Sequence, residues 1–158
     1  METTAKYKVK ENTWPAKTFV TKRARIGFDK LTAFFGESYD AIYGAIQKSG
    51  LQVNEPPCAI FYSKDEVKKK ADLAAAVPVQ GLIPENIEFE KIVIPKSKVL
   101  TTTYYGPYEN MKPAYEVLEK YMIAHGLKRE LIIEEYFSDP AEEKDEGKWK
   151  TKIHFIVR

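Results

Sequence analysis

The residues with the clearest chemical potential lie in Ile132-Ile133-Glu134-Glu135-Tyr136. In a strand, alternate side chains share a face, so Glu134 keeps company with Ile132 and Tyr136, while Glu135 joins Ile133 and Phe137. A carboxylate set among aromatic rings attracts cations, and each ring face adds about 0.5–2 kcal/mol of cation–π attraction. Desolvation of Glu134 would favour its protonated form, which suits general acid–base work. A wet strand face, where Glu134 would do nothing, fits the same spacing. Trp149 begins the last alternating segment on its apolar side, and tryptophan offers the strongest cation–π surface together with an N–H donor. As plain core it would be equally well placed. Further candidates for pocket walls are Tyr136, one of Tyr104 and Tyr105, and Tyr39 or Tyr43. Core tyrosines with satisfied hydroxyls are the alternative for each.

Two helix-plus-strand units position these residues. In the first, Leu31, Phe35, Ile42 and Ile46 recur at helical spacing between about 28 and 49, and Gly50 stops the helix. In the second, Met111, Tyr115, Leu118 and Met122 form the stripe between about 110 and 125, and Gly126 stops it. Each helix exits through Gly-Leu into a short loop and a strand that ends in two aromatic residues and a serine: Phe61-Tyr62-Ser63 and Tyr136-Phe137-Ser138. Period-2 patterns add strands over 18–26, 99–105, 87–94 and 149–157, the last with Trp149, Thr151, Ile153, Phe155 and Val157 inward and the lysines and His154 on a solvated face. Residues 71–79 read as a strand that joins the halves. The expected fold is α+β: duplicated β-α-β-β units with antiparallel sheets, helices packed on the sheets and a central ligand cleft. A single domain over 1–158 is expected, with half-repeats of roughly 7–80 and 87–158.

Composition narrows the function. The 158 residues carry 25 basic and 23 acidic side chains, a balance unlike that of a dedicated nucleic-acid surface. Lys68-Lys69-Lys70, beside Glu66 and Asp72, reads as a solvated loop. No apolar run approaches the roughly 20 residues of a membrane helix, and the first residues lack a signal-peptide core. The lone Cys58 suits a reducing compartment, so a cytoplasmic location is expected. Ten Tyr, eight Phe and two Trp, 13% of the chain, suit surfaces that are apolar on the ring and wet at the hydroxyl. His125 and His154 have no metal-ligand spacing around them, and no phosphate loop or serine-hydrolase motif is present, so neither metal nor cofactor is expected.

Several blocks, in order, carry a family resemblance. They are Ala71-Asp72-Leu73 with Val77-Pro78-Val79, then Ile94 to Thr101, then Tyr105-Gly106-Pro107-Tyr108-Glu109. Glu134 with Tyr136, Ser138-Asp139-Pro140, and Lys148 to Ile153 follow. Over about 9–157 the chain resembles the GyrI-like (DNA gyrase inhibitor-like) effector-binding domains. The resemblance implies a ligand cleft into which Glu134 points, with Trp149 at the place of an aromatic wall. In AraC-type and MerR-type regulators such domains bind drug-like, often cationic molecules; stand-alone members include gyrase-inhibitor-like proteins and some that hydrolyse cyclopropane-bearing cytotoxins. The expected partner is therefore an amphipathic small molecule, cations among them, sensed or sequestered. The alternatives are hydrolysis of a strained electrophile by Glu134, or interaction with a protein such as gyrase or a transcription regulator. No segment for a helix-turn-helix is apparent, so DNA binding in cis and membrane association are not expected.

Overall fold

The computed structural model describes residues 6–158 and divides the chain into two compact units. One comprises residues 16–95; the other joins residues 1–15 to 96–158. The strands are β1 (Lys10–Trp14), β2 (Lys17–Gly27), β3 (Cys58–Asp65), β4 (Lys70–Pro78), β5 (Glu90–Ile94), β6 (Ser97–Tyr105), β7 (Arg129–Tyr136) and β8 (Lys150–Val157). The helices are α1 (Leu31–Ser49) and α2 (Lys112–Ala124), each entered through a short 3-10 turn.

Both units repeat one β-α-β-β pattern, as the sequence predicts: β2-α1-β3-β4 and β6-α2-β7-β8. Within the 16–95 unit the antiparallel ladder runs β3-β4-β2-β5; within the other it runs β7-β8-β6-β1. The two ladders are therefore alike strand for strand. Their edge strands are exchanged along the chain. β1 precedes β2 yet pairs with β6, and β5 precedes β6 yet pairs with β2. The half-repeats read from sequence, 7–80 and 87–158, follow chain order, whereas the units follow strand pairing.

Local chemistry explains the elements. α1 buries Ile42 and Ile46 on the ladder beside Val20, Ala75 and Val77. Each fully buried side chain of that size contributes about 1.5–3 kcal/mol. In β4, Ala74, Ala75 and Ala76 are wholly buried, and Ala75, on the face packed against Ile42 and Ile46, leaves room beneath the helix for its larger residues. Pro78, which has no N–H to donate, closes β4. α2 starts with proline in its first turn and buries Ala114, Val117 and Leu118. Gly50 and Gly126 adopt φ of 72° and 66° after the two helices, left-handed conformations that cost glycine little.

β8 departs from expectation. The face expected to be solvated is covered along its C-terminal half, where His154 is 3% exposed and Ile156 4%, while Lys150 and Lys152 are half-buried. The Trp14 ring stands 4.5 Å from the His154 ring, edge-on, and covers it. β1 itself escapes a period-2 reading, since four of its five residues are exposed. The Lys68–Lys69–Lys70 run is exposed, at the hairpin between β3 and β4, as anticipated. No helix among the described residues is long and apolar enough to cross a membrane.

Candidate functional site

Glu134 is the sixth of the eight residues of β7, on the ladder face that carries α2. The register fixes this placement: Glu134 pairs with Ile153, and Ile132 with Phe155. Tyr115 of α2 reaches the same face, its ring 6.0 Å from that of Phe155. Glu134 is only 7% exposed. Its Oε1 accepts a hydrogen bond of 2.7 Å from the Tyr136 hydroxyl, two residues along the same strand. Its Oε2 accepts a second from the hydroxyl of Tyr115. Among the described residues no lysine, arginine or histidine forms an ion pair with it. A carboxylate buried on this scale normally has a cationic partner; here two phenols are its partners.

The rings continue outward from that carboxylate. Tyr108, in the turn before α2, meets Tyr136 edge-on at 5.6 Å and stacks on Trp149 at 5.1 Å. Trp149 is half-buried, just ahead of β8, and its Nε1–H donates to the Glu143 carbonyl at 2.7 Å, which fixes the indole plane. Lys150 N–H donates to Ser138 Oγ at 2.9 Å, tying the strand start to the end of β7. A row therefore runs Tyr115, Glu134, Tyr136, Tyr108, Trp149, in which the carboxylate is buried, Tyr115, Tyr136 and Trp149 are half-buried and Tyr108 is exposed. Burial raises the Tyr115 phenol well above its ordinary range, and the neighbouring Glu134 charge raises it further. Burial likewise raises Tyr108, with smaller contributions from Glu134 and Asp139. The Tyr115 hydroxyl thus stays protonated at neutral pH, as a donor to the Glu134 carboxylate requires.

The structure brings together Glu134, Tyr136 and Trp149 from the expected set and adds two members, Tyr115 and Tyr108. Tyr115 was legible as part of a helical apolar stripe but not as a hydroxyl donor. Tyr108 lies in the Gly-Pro-Tyr-Glu turn, which reads as structural. Of the adjacent pair, Tyr104 is buried, donates to the Pro107 carbonyl at 2.6 Å and stacks near Tyr7, whereas Tyr105 is 58% exposed. Tyr39 and Tyr43 belong to the 16–95 unit. Tyr39 donates to the Cys58 carbonyl at 2.6 Å and stacks on Phe35, and Tyr43 is 36% exposed with its phenol raised by burial.

His154 requires a correction. Rather than facing solvent, its Nε2 lies 2.8 Å from Glu135 Oε1 and its Nδ1 2.7 Å from Thr101 Oγ1. Glu135 therefore also has a buried polar role, on the ladder face opposite Glu134. No cluster of histidine, cysteine and carboxylate groups suited to a metal ion occurs among the described residues.

Residues 7–158 match the model of the GyrI-like small molecule binding domain. No curated protein matches the sequence. Among solved structures, the EcmrR C-terminal domain is similar over 96% of this chain and 98% of its own, with a TM-score of 0.84 at 18% identity. In the EcmrR–DNA complex the same similarity spans 57% of the EcmrR chain. A hydrolase encoded by lin2189 of Listeria innocua aligns over 96% of this chain and 92% of its own, with a TM-score of 0.69 at 14% identity. SAV2435 bound to tetraphenylphosphonium aligns over 96% and 94%, with a TM-score of 0.68 at 14% identity. At these identities the likeness speaks to fold.

Proposed function

Because the chain belongs to the GyrI-like small-molecule-binding family, we propose that it binds amphipathic organic cations, with Glu134 as counter-charge and Tyr115, Tyr136, Tyr108 and Trp149 as the aromatic wall. One observation carries the reading: a 7%-exposed carboxylate whose partners are two tyrosine hydroxyls rather than a basic side chain. Such a group gains from an arriving cation the charge neutralisation that the protein itself withholds. The rings select for it, since a diffuse cation over aromatic faces is attracted without the hydration cost of a small ion. The bound cation in SAV2435 is of this chemical class. Sensing or sequestration would follow from binding alone.

The test is a titration with tetraphenylphosphonium read by tryptophan fluorescence in a Trp14→Phe background, which leaves Trp149 as the reporter. Saturable quenching is expected, and Glu134→Gln should weaken binding by about tenfold or more, equal to about 1.4 kcal/mol. An unchanged dissociation constant in Glu134→Gln would remove the carboxylate from the site. A second reading, hydrolysis of a strained electrophile such as a cyclopropane, draws on the same carboxylate held between two proton-bearing hydroxyls. It requires turnover by the wild type that Glu134→Gln abolishes.

A further inference from the structure

The same unit carries an unassigned feature on its other face. The register places Lys10 opposite Thr101, and Thr101 opposite His154, while Thr103 lies opposite Lys152. Directly paired residues of an antiparallel ladder point the same way, so Lys10, Thr101, Thr103 and Lys152 share the face that bears His154, away from α2. There they line a pocket of about 540 Å³, completed by Lys6 and Lys8 among others. That volume falls within the range of small-molecule sites. Four of its lining residues are lysines and none is acidic. In a chain with 25 basic and 23 acidic side chains, such a one-signed lining is a local concentration and not a reflection of overall composition.

We propose that this pocket is a second ligand site, for a small tetrahedral oxyanion such as a phosphate- or sulfate-bearing molecule. The ammonium groups of Lys8, Lys10 and Lys152 would supply charge, and the hydroxyls of Thr101 and Thr103 directional donors. Lysine suits this role as a flexible point charge that meets anions without a fixed fork. The site is chemically opposite to the one around Glu134 and stands apart from it on the ladder, so the two readings fail independently.

Thr101 gives the pocket a link to protonation. Its Oγ1 lies 2.7 Å from His154 Nδ1, and His154 Nε2 lies 2.8 Å from Glu135 Oε1. With neutral His154 donating from Nε2 to the carboxylate, Nδ1 accepts the Thr101 hydroxyl proton. When His154 is protonated, Nδ1–H donates to Oγ1 instead, and the hydroxyl hydrogen is released toward the pocket. Groups facing the imidazole include Glu135 on β7, Thr101 on β6 and the Trp14 ring on β1, with Lys152 two residues away on β8 and Lys10 in register with Thr101. Glu135 favours the imidazolium and the lysines oppose it, so an anion that offsets the lysines promotes protonation. By reciprocity, protonation tightens the anion.

The test is calorimetry of the full chain with inorganic pyrophosphate at low salt. Saturable binding is expected in the wild type. Lys8→Glu/Lys10→Glu, at two exposed positions, should weaken it by at least about tenfold, whereas Lys68→Glu/Lys70→Glu at the β3–β4 hairpin should leave it intact. Affinity should rise as pH falls through the histidine range, more steeply than in Thr101→Val, a comparison that cancels the probe's own titration. The proposal is overturned by absence of saturable binding, by equal losses in the two charge-reversal variants, or by a single-stranded oligonucleotide binding more tightly than pyrophosphate. Identical pH profiles in wild type and Thr101→Val would sever the histidine link.

Discussion

Replacing Tyr115 with phenylalanine removes one hydroxyl from Glu134 while leaving the ring against Phe155 in place. The carboxylate then keeps only the 2.7 Å bond from Tyr136 and remains buried. A hydrogen bond to a charged group contributes about 1.5–3 kcal/mol, against about 0.5–1.5 kcal/mol between neutral groups. Tyr115→Phe should therefore cost about 2 kcal/mol at neutral pH, lowering Tm by roughly 4–8 °C for a chain of this length. In a Glu134→Gln background the same change breaks only a neutral bond and should cost about 1 kcal/mol. The double-mutant cycle, measured by urea unfolding at constant m-value, should thus give a coupling of about 1 kcal/mol. A pH signature accompanies it. The Tyr115 phenol is raised in the folded protein, so the stabilisation is present below the ordinary tyrosine range near about 10 and is lost as pH climbs through the folded value. Tyr115→Phe should flatten that alkaline loss. Equal costs of Tyr115→Phe on both backgrounds, within about 0.3–0.5 kcal/mol, would refute the idea that the hydroxyl acts on a charged Glu134.

Two other expectations concern the frame around the sites. Asp72 is held below its ordinary value chiefly by the hydrogen bonds from Arg23, at 2.8 and 2.9 Å, with Arg25 adding to it. A depressed carboxylate contributes above its unfolded value and loses that contribution as pH falls through the folded one. Acid unfolding followed by circular dichroism should therefore be shallower in Asp72→Asn, and an identical acid limb would contradict the pairing. Gly106 has φ of 142°, and a Cβ there would lie 2.7 Å from the Tyr104 hydroxyl, which is itself bonded to the Pro107 carbonyl. Gly106→Ala should cost about 1–3 kcal/mol. That loss should exceed that of Gly126→Ala, where a Cβ meets nothing within 4 Å; equal melting temperatures would count against it.

Much of this architecture was readable because two halves repeat the same local signals. Leu31 to Ile46 and Met111 to Met122 announce their helices through helical spacing, and Gly50 and Gly126 mark their ends. Glu134 and Tyr136 share a face because strand periodicity leaves no other choice, and their hydrogen bond follows from a two-residue separation. What was not legible depends on contacts distant in sequence. β1 has no apolar alternation, since its partner β6 lies some 90 residues on and four of its five residues remain exposed. The burial of His154 needs Trp14 from that same strand. Without it, the lysines at 148, 150 and 152 make the strand look wet on one side. Tyr108 and Tyr115 were visible as turn and core residues, but their convergence with Glu134 and Trp149 depends on how the 3-10 turn and α2 settle over β7 and β8. Tyr104 and Tyr105 show the limit of pattern alone. Alternation says that one faces inward, and the register decides that it is Tyr104, paired with buried Thr151.

In the proposed function Glu134, buried and bonded to two phenols, is the counter-charge of a bound cation. The most direct measurement of this is a crystal structure of the complex with tetraphenylphosphonium. Phenyl groups against Trp149 and Tyr108, with the cation within about 6 Å of an aromatic ring and Glu134 as the nearest carboxylate, are the expected result. A phosphonium bound elsewhere, with the Tyr115–Glu134–Tyr136 contacts unaltered and no ligand atom beside them, would contradict it.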